Sequence, residues 1–176
     1  MSIPNHADLY DYNIQKSVEK WVRAQTDFMA YYPNAIVFED TQFNPENMTR
    51  WIKFEWVSMS GKVYSLNTFH VRCFSRPADD RFGRKLELMV GRVQNLFSQS
   101  LAGNGITFYD IMNQGSAVSP DTIDYDGEAL KIAIRPVDRS PRMDASEMGE
   151  TIATVRGVNL VVLTYNAHVA RPSAQW

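Results

Sequence analysis

The sequence predicts an α/β protein of the α+β kind, with two helices packed on a mixed, mainly antiparallel sheet and a single domain carrying a long loop excursion. Three observations predict it. Two long segments repeat their apolar residues every three or four positions, as one face of a helix does, and several others alternate apolar with polar at the period of a strand. These patterns come in the order helix, strands, helix, polar excursion, final strand. The 176 residues, 44% of them hydrophobic, suffice for one core that buries roughly 70% of the surface of the unfolded chain.

The first stripe runs through Tyr10, Ile14, Val18, Trp21, Val22, Phe28 and Met29, which line one side of a helix over residues 6–31. Asn5 is placed to cap it, and Asp8 favours the positive end of its dipole. Pro33 stops it, because proline lacks an N–H and disfavours helical geometry at Tyr32. Residues 35–39 form a short edge strand, ended by the polar stretch 40–49. In the next segment Ile52, Phe54 and Trp56 point one way and Lys53 and Glu55 the other, the mark of a strand with one wet face. Ser60-Gly61-Lys62 turns the chain into an antiparallel return over residues 63–75. Apolar parity slips within that return: Tyr64 and Leu66 share one face, and Phe69, Val71 and Cys73 the other. A β-bulge near Asn67-Thr68 reconciles the two.

The second helix is expected to begin at about Pro77, with Asp79 and Asp80 beside its positive end. Its stripe is Phe82, Leu86, Met89, Val90, Val93, Phe97 and Leu101, and Gly103 ends it. Gly91, costly inside a helix, is either a point of close approach or a tolerated weak spot. Residues 106–111 form another strand. Periodicity then fades over 112–156, the loop excursion, except at 129–137, where Leu130, Ile132 and Ile134 alternate with other residues. Loops of this length inside a domain are usually functional or disordered, and this one is expected to be peripheral to the core. Order returns at 158–169 with Val161, Leu163, Tyr165, Ala167 and Val169.

Composition narrows the function. The net charge of −2 and pI near 5.9 lack the basic excess of a dedicated nucleic-acid binder. No apolar run has the length of a membrane span, and the start of the chain lacks the pattern of a signal peptide, so a soluble protein made in a cytoplasm is expected. Cys73, the single cysteine, alternates with His70 toward the other strand face, which makes it a core residue rather than a nucleophile. His6, His70 and His168 stand apart without metal-ligand spacing. The acidic residues 121, 124, 126 and 128 superficially suggest a calcium loop, but their spacing is wrong for an EF-hand, and a solvated acidic loop is expected. Gly103-Asn-Gly105 follows a helix instead of opening one, so it is a C-cap turn and no phosphate cradle. No cofactor is implied. Trp51 and Trp176 fall outside the stripes, and such aromatics are candidate interface anchors.

Charge is unevenly placed. Residues 72–92 hold six basic residues against three acids, whereas 110–150 hold nine acids against four bases. Complementary patches suit a head-to-tail ring, in which each subunit shows different surfaces to its two neighbours. The candidate interface residues are Arg81, Arg84 and Arg92 on one side and Asp121, Asp124 and Asp126 on the other.

The order of helix, strand, hairpin with Trp51-Ile-Lys and Phe69-His-Val-Arg-Cys-Phe-Ser, Pro-led helix, strand, long loop and terminal strand resembles the tail terminator proteins of long-tailed bacteriophages, the lambda-type tail terminator family. The chain departs from that pattern in length, chiefly through 112–156. The resemblance implies a structural virion protein with no cofactor, at the head-proximal end of the tail. Six copies form a homohexameric ring on the last tail-tube hexamer, stop tube growth and offer a docking face to the head–tail connector, and DNA passes through the channel without specific binding. A neighbouring virion role, in the neck or the tail tube, is the nearest alternative. A small enzyme using Asp110, Asp124 and His168, and a monomeric module binding a host factor, are the others; a concave pocket with converging polar groups would mark the enzyme.

Overall fold

The first apolar stripe folds as two helices. In the computed structural model, which describes residues 7–39, 41–58, 67–102, 105–111, 121–145 and 157–170, helix α1 spans Ala7–Ala24 and a short helix α2 spans Thr26–Tyr31. The single helix expected over 6–31 is broken at Gln25, whose φ of −81° and ψ of 81° are not helical. The break remains hydrogen-bonded. Gln25 N–H donates to the Val22 carbonyl at 3.0 Å, its own carbonyl accepts from Met29 N–H at 2.9 Å, and its side-chain amide donates to the Trp21 carbonyl at 3.1 Å. These bonds occupy carbonyls that a helix end otherwise leaves without partners, and beyond the break Phe28 and Tyr32 join Val22 in the core. The chain stops where Pro33 requires, with Tyr32 already non-helical at φ −132° and ψ 61°.

Eleven strands follow in the described residues: β1 (Ile36–Val37), β2 (Arg50–Ser58), β3 (Asn67–Ser75), then helix α3 (Arg84–Ala102), β4 (Ile106–Thr107), β5 (Tyr109–Asp110), β6 (Asp121–Thr122), β7 (Asp124–Tyr125), β8 (Glu128–Ala129), β9 (Lys131–Arg139), β10 (Met143–Asp144) and β11 (Asn159–Ala170). The main sheet has the order β1-β2-β3-β11-β9-β4, with β10 also on β11. Only the β1–β2 pair is parallel in it. The mixed, mainly antiparallel sheet is therefore as expected. Two small hairpin sheets, β5–β6 and β7–β8, lie outside it.

One face of the sheet is apolar. Ile52, Phe54, Phe69, Val71, Cys73, Val161, Leu163, Tyr165, Ile132 and Ile134 are buried against α1 and α3. Phe97 of α3 is the centre of that layer: its ring lies 4.7 Å from Tyr165, 5.6 Å from Phe69, 6.4 Å from Phe54 and 6.1 Å from Trp21 of α1, between ring centroids. Aromatic pairs at these separations add to the effect of burial. Cys73 is wholly buried there and its thiol is pushed far up by desolvation, so it is held as the neutral thiol.

Several expectations need correction. A bulge does lie opposite the Asn67-Thr68 region, but the extra residue is Val57 on β2 and not on β3, because Trp56 faces Phe69 and Ser58 faces Thr68; Tyr64 and Leu66 lie outside the described residues. Helix α3 begins at Arg84 and not at Pro77, since residues 77–83 form turns, and this leaves Phe82 of the expected stripe 74% exposed. Leu86, Met89, Val90, Val93 and Phe97 are buried as expected. At Gly91 a Cβ would meet nothing within 4 Å, so there is no close approach. Trp51 is no surface anchor: it is 2% exposed, with its ring 4.8 Å from Phe74 and the Arg76 guanidinium 5.5 Å away.

The largest correction concerns 112–156. Residues 121–145 are not a peripheral loop but contain β6 to β10, and β9 stands inside the main sheet between β11 and β4. Leu130, Ile132 and Ile134 belong to the core, because β9 pairs the edge of β11 opposite β3 and so faces the same helices. The turn at Ser60-Gly61-Lys62 with Tyr64 and Leu66, the cap at Asn5, His6, the helix end at Gly103, Trp176 and the rest of the excursion lie outside the described residues.

Candidate functional site

The sheet's second face is apolar at one end, where Trp51, Phe74 and Leu160 are buried and Phe43 packs on Trp51, and polar along the rest. Cross-strand rows organise it: Glu55 faces His70, which faces Thr164, which faces Asp138. Thr68 faces Asn166, which faces Arg135. His70 Nδ1 lies 3.0 Å from Thr164 Oγ1, Thr68 Oγ1 donates to Asn166 Oδ1 at 2.9 Å, and Arg72 pairs with Glu55 at 3.0 Å. Burial, with the Arg72 charge, lowers the His70 pKa against the opposing pull of Glu55. Burial, with Arg135, does the same for His168. Both imidazoles are thus neutral at pH 7. A neutral imidazole beside a hydroxyl is the start of an acid–base couple, but this face is a flat row of strands.

A cleft of about 330 Å³ lies elsewhere, between α2 and α3, lined by residues including Gln25, Asp27, Tyr31, Arg92 and Gln99. It contains no histidine or cysteine. Its arginine is already engaged, with the guanidinium 3.6 Å from the Tyr31 ring centroid and donating to Tyr32 Oη at 3.1 Å. Arg92 therefore does not form a surface group with Arg81 and Arg84. The trio Asp110, Asp124 and His168 is not assembled. Asp110 accepts from Asn13 of α1 at 3.4 Å, Asp124 is on an exposed hairpin, and His168 shares the sheet's second face with Asn166. Among the described residues no group of three acidic, histidine or cysteine side chains could hold a metal ion.

Charge is concentrated at the two ends of α3. At its start, Arg81 and Arg84 are exposed on a turn whose shape is enforced. Gly83 has φ +72°, and a Cβ there would stand 2.1 Å from Arg142 Nη1. The Gly83 carbonyl accepts the first helical bond, from Glu87 N–H at 3.0 Å, so Gly83 holds the N-cap position without a capping side chain. Asp80 supplies one instead, accepting from Lys85 N–H at 3.1 Å and Leu86 N–H at 2.8 Å. Asp79 ties the turn to Arg50 at 3.2 Å and Lys85 at 2.8 Å. Phe82 projects from this turn with the Arg81 guanidinium 5.6 Å from its ring.

At the other end, buried Phe108, Ile123 and Leu130 seat the acidic hairpin. Ile123 N–H donates to the Phe108 carbonyl at 2.9 Å, and Leu130 N–H to the Ile123 carbonyl at 2.8 Å. Strand β7 returns as β8 through Asp126 and Gly127, both at positive φ (51° and 76°), as a type I′ turn requires. The Asp-Gly pair was the signal for this hairpin. Asp121, Asp124 and Asp126 are exposed. The hairpin joins the start of β9, whereas Arg139 at the end of β9 pairs with Glu87 of α3. The two charged groups are thus separated by the length of α3, whose 19 residues span about 28 Å at 1.5 Å per residue.

Comparison with protein-family models, curated proteins and solved structures finds no significant match.

Proposed function

We propose that this protein is a tail terminator of a long-tailed bacteriophage, a structural virion protein whose copies close into a six-membered ring at the head-proximal end of the tail tube. The ring ends tube growth and presents a docking face to the head–tail connector. The observation that carries this reading is the placement of exposed charge: acidic residues 121, 124 and 126 at one end of α3, and Arg81 and Arg84 with the projecting Phe82 at the other. Groups so far apart cannot neutralise one another within a subunit, and contact between unlike surfaces of successive copies generates rings. The α+β fold, with α1 and α3 on one face of the sheet, agrees with what the resemblance implies. An interface assembled from a projecting aromatic and arginines has the composition of binding hot spots.

Electron microscopy tests this directly. Purified protein, or protein added to terminator-free tails, should give a sixfold ring with a central channel. Labelled antibody should mark only the head-proximal tip of the tail. Label along the whole tube would assign the chain to the tube itself, and label above the tail to the neck.

A further inference from the structure

Strand β9 is paired along its whole length on one side by β11, but on the other side β4 covers only its first two residues, through Ile106↔Ile132 and Thr107↔Lys131. From residue 133 to 139 the outer edge pairs with no strand among the described residues, and residues 135–139 are all exposed. An open edge presents unpaired backbone N–H and C=O groups, a template for adding a strand. This edge is also restricted. Pro136 has no N–H to offer, the Arg139 N–H already donates to the Asp138 carboxylate at 2.8 Å, and Val137 is an extra residue, because Thr164 faces Asp138 and Tyr165 faces Pro136. A proline and a bulge exclude a long flat strand and leave room for a short one.

The charge around the edge selects the occupant. Arg135 and Arg139 flank Val137, which is 55% exposed. Asp138 is exposed beside Val137 and Arg139 is paired with Glu87, so the positive charge the edge offers comes from Arg135 and from Arg142, which donates to the Phe82 carbonyl at 3.2 Å. Within the same chain, β7 and β8 are two-residue strands in a hairpin whose residues 121–128 carry four acids and no base. That hairpin is attached at the opposite end of β9. We infer that the outer edge of β9 is the seat for the acidic β7–β8 hairpin of a neighbouring copy, so that the sheet of one subunit is extended by the next. This rests on the ring reading and specifies its contact.

Cysteines at Val137 and Asp124 provide the test. In one chain the two positions are about 20 Å apart or more, since six strand residues at ~3.4 Å each separate Val137 from the start of β9. A disulfide needs Cα atoms within about 7 Å, so any bond formed joins two copies; Cys73 is buried and takes no part. Mild oxidation of the Val137→Cys, Asp124→Cys double variant should give a ladder of linked species ending at the hexamer, whereas each single variant gives dimers at most. In the unmodified ring, backbone amides in 134–139 should exchange at least tenfold more slowly than in dilute monomer. A ring that forms while these amides exchange at the monomer rate overturns this inference and leaves the ring reading in place. A protein that is monomeric at every concentration and absent from tails overturns both.

Discussion

Gly83 and Asp80 show how one residue's constraint sets another's role. The φ of +72° at position 83 strains any residue with a Cβ, so the helix cap comes from elsewhere, and Asp80 provides it from the preceding turn. Burial opposes ionisation of Asp80, but the Leu86 and Lys85 amides, then Ser75 and the Lys85 charge, outweigh it and lower its pKa. For a depressed carboxylate the stabilisation is complete above the unfolded pKa of ~3.9 and is lost as pH falls through the lower native value. Asp80→Ala should therefore cost about 1–2 kcal/mol in denaturant unfolding at pH 7, the range for a lost cap, and the difference from the native protein should shrink below pH 4. Gly91→Ala should act in the opposite sense, gaining up to about 1 kcal/mol, because space is open there. Equal stabilities for all three proteins would show that the start of α3 is held by other contacts. The sequence placed Asp80 near a positive helix end, but not as a cap acting across a glycine, since the signature of a cap is local and this one spans three residues.

At the scale of elements, what was legible depended on whether burial was one-sided. Helix α3 packs one face on the sheet, so Leu86, Met89, Val90, Val93 and Phe97 repeat cleanly and their burial followed. Strand β11 announced itself because it is central and lacks charge from Asn159 to Thr164. The outer half of β9 is different: its burial falls from Ile134 to the exposed Arg135–Arg139 stretch, so its alternation stops midway and it resembled a fragment in a loop. The hairpins before it are two residues per strand, too short for any period to show. Trp51 was misplaced because it lies on the face opposite Ile52, Phe54 and Trp56, where it is buried against Phe74. Ile134→Ala should cost about 2–5 kcal/mol through lost burial and a cavity. Deleting 121–145 should abolish cooperative unfolding altogether, as judged by circular dichroism during heating. A deletion variant that still melts cooperatively would show that β11 does not need β9.

The charged surfaces are a property of the whole molecule, and their separation was not legible in the sequence because residue 84 and residue 124 are brought into relation only by the fold. If Arg81 and Arg84 meet the acidic hairpin of the next copy, assembly should weaken as salt rises, since exposed charges are screened beyond a Debye length of ~8 Å at physiological ionic strength. Single substitutions should do little, each exposed pair contributing about 0.2–1 kcal/mol. Arg81→Glu with Arg84→Glu should shift the equilibrium to monomers, and Asp121→Arg with Asp124→Arg in that background should partly restore the ring. Asp126 is unsuited to the exchange because its φ of 51° favours a short polar side chain. The competing arrangement sends the hairpin into the channel, where carboxylates would repel the DNA phosphates and let the duplex slide without sticking. Light scattering across a salt series separates the two arrangements. An interface hairpin gives oligomers that dissociate with salt and with the double reversal, and regain mass with the compensating pair. A channel hairpin gives a hexamer indifferent to all three, in which Asp121→Arg with Asp124→Arg alone would slow the passage of DNA.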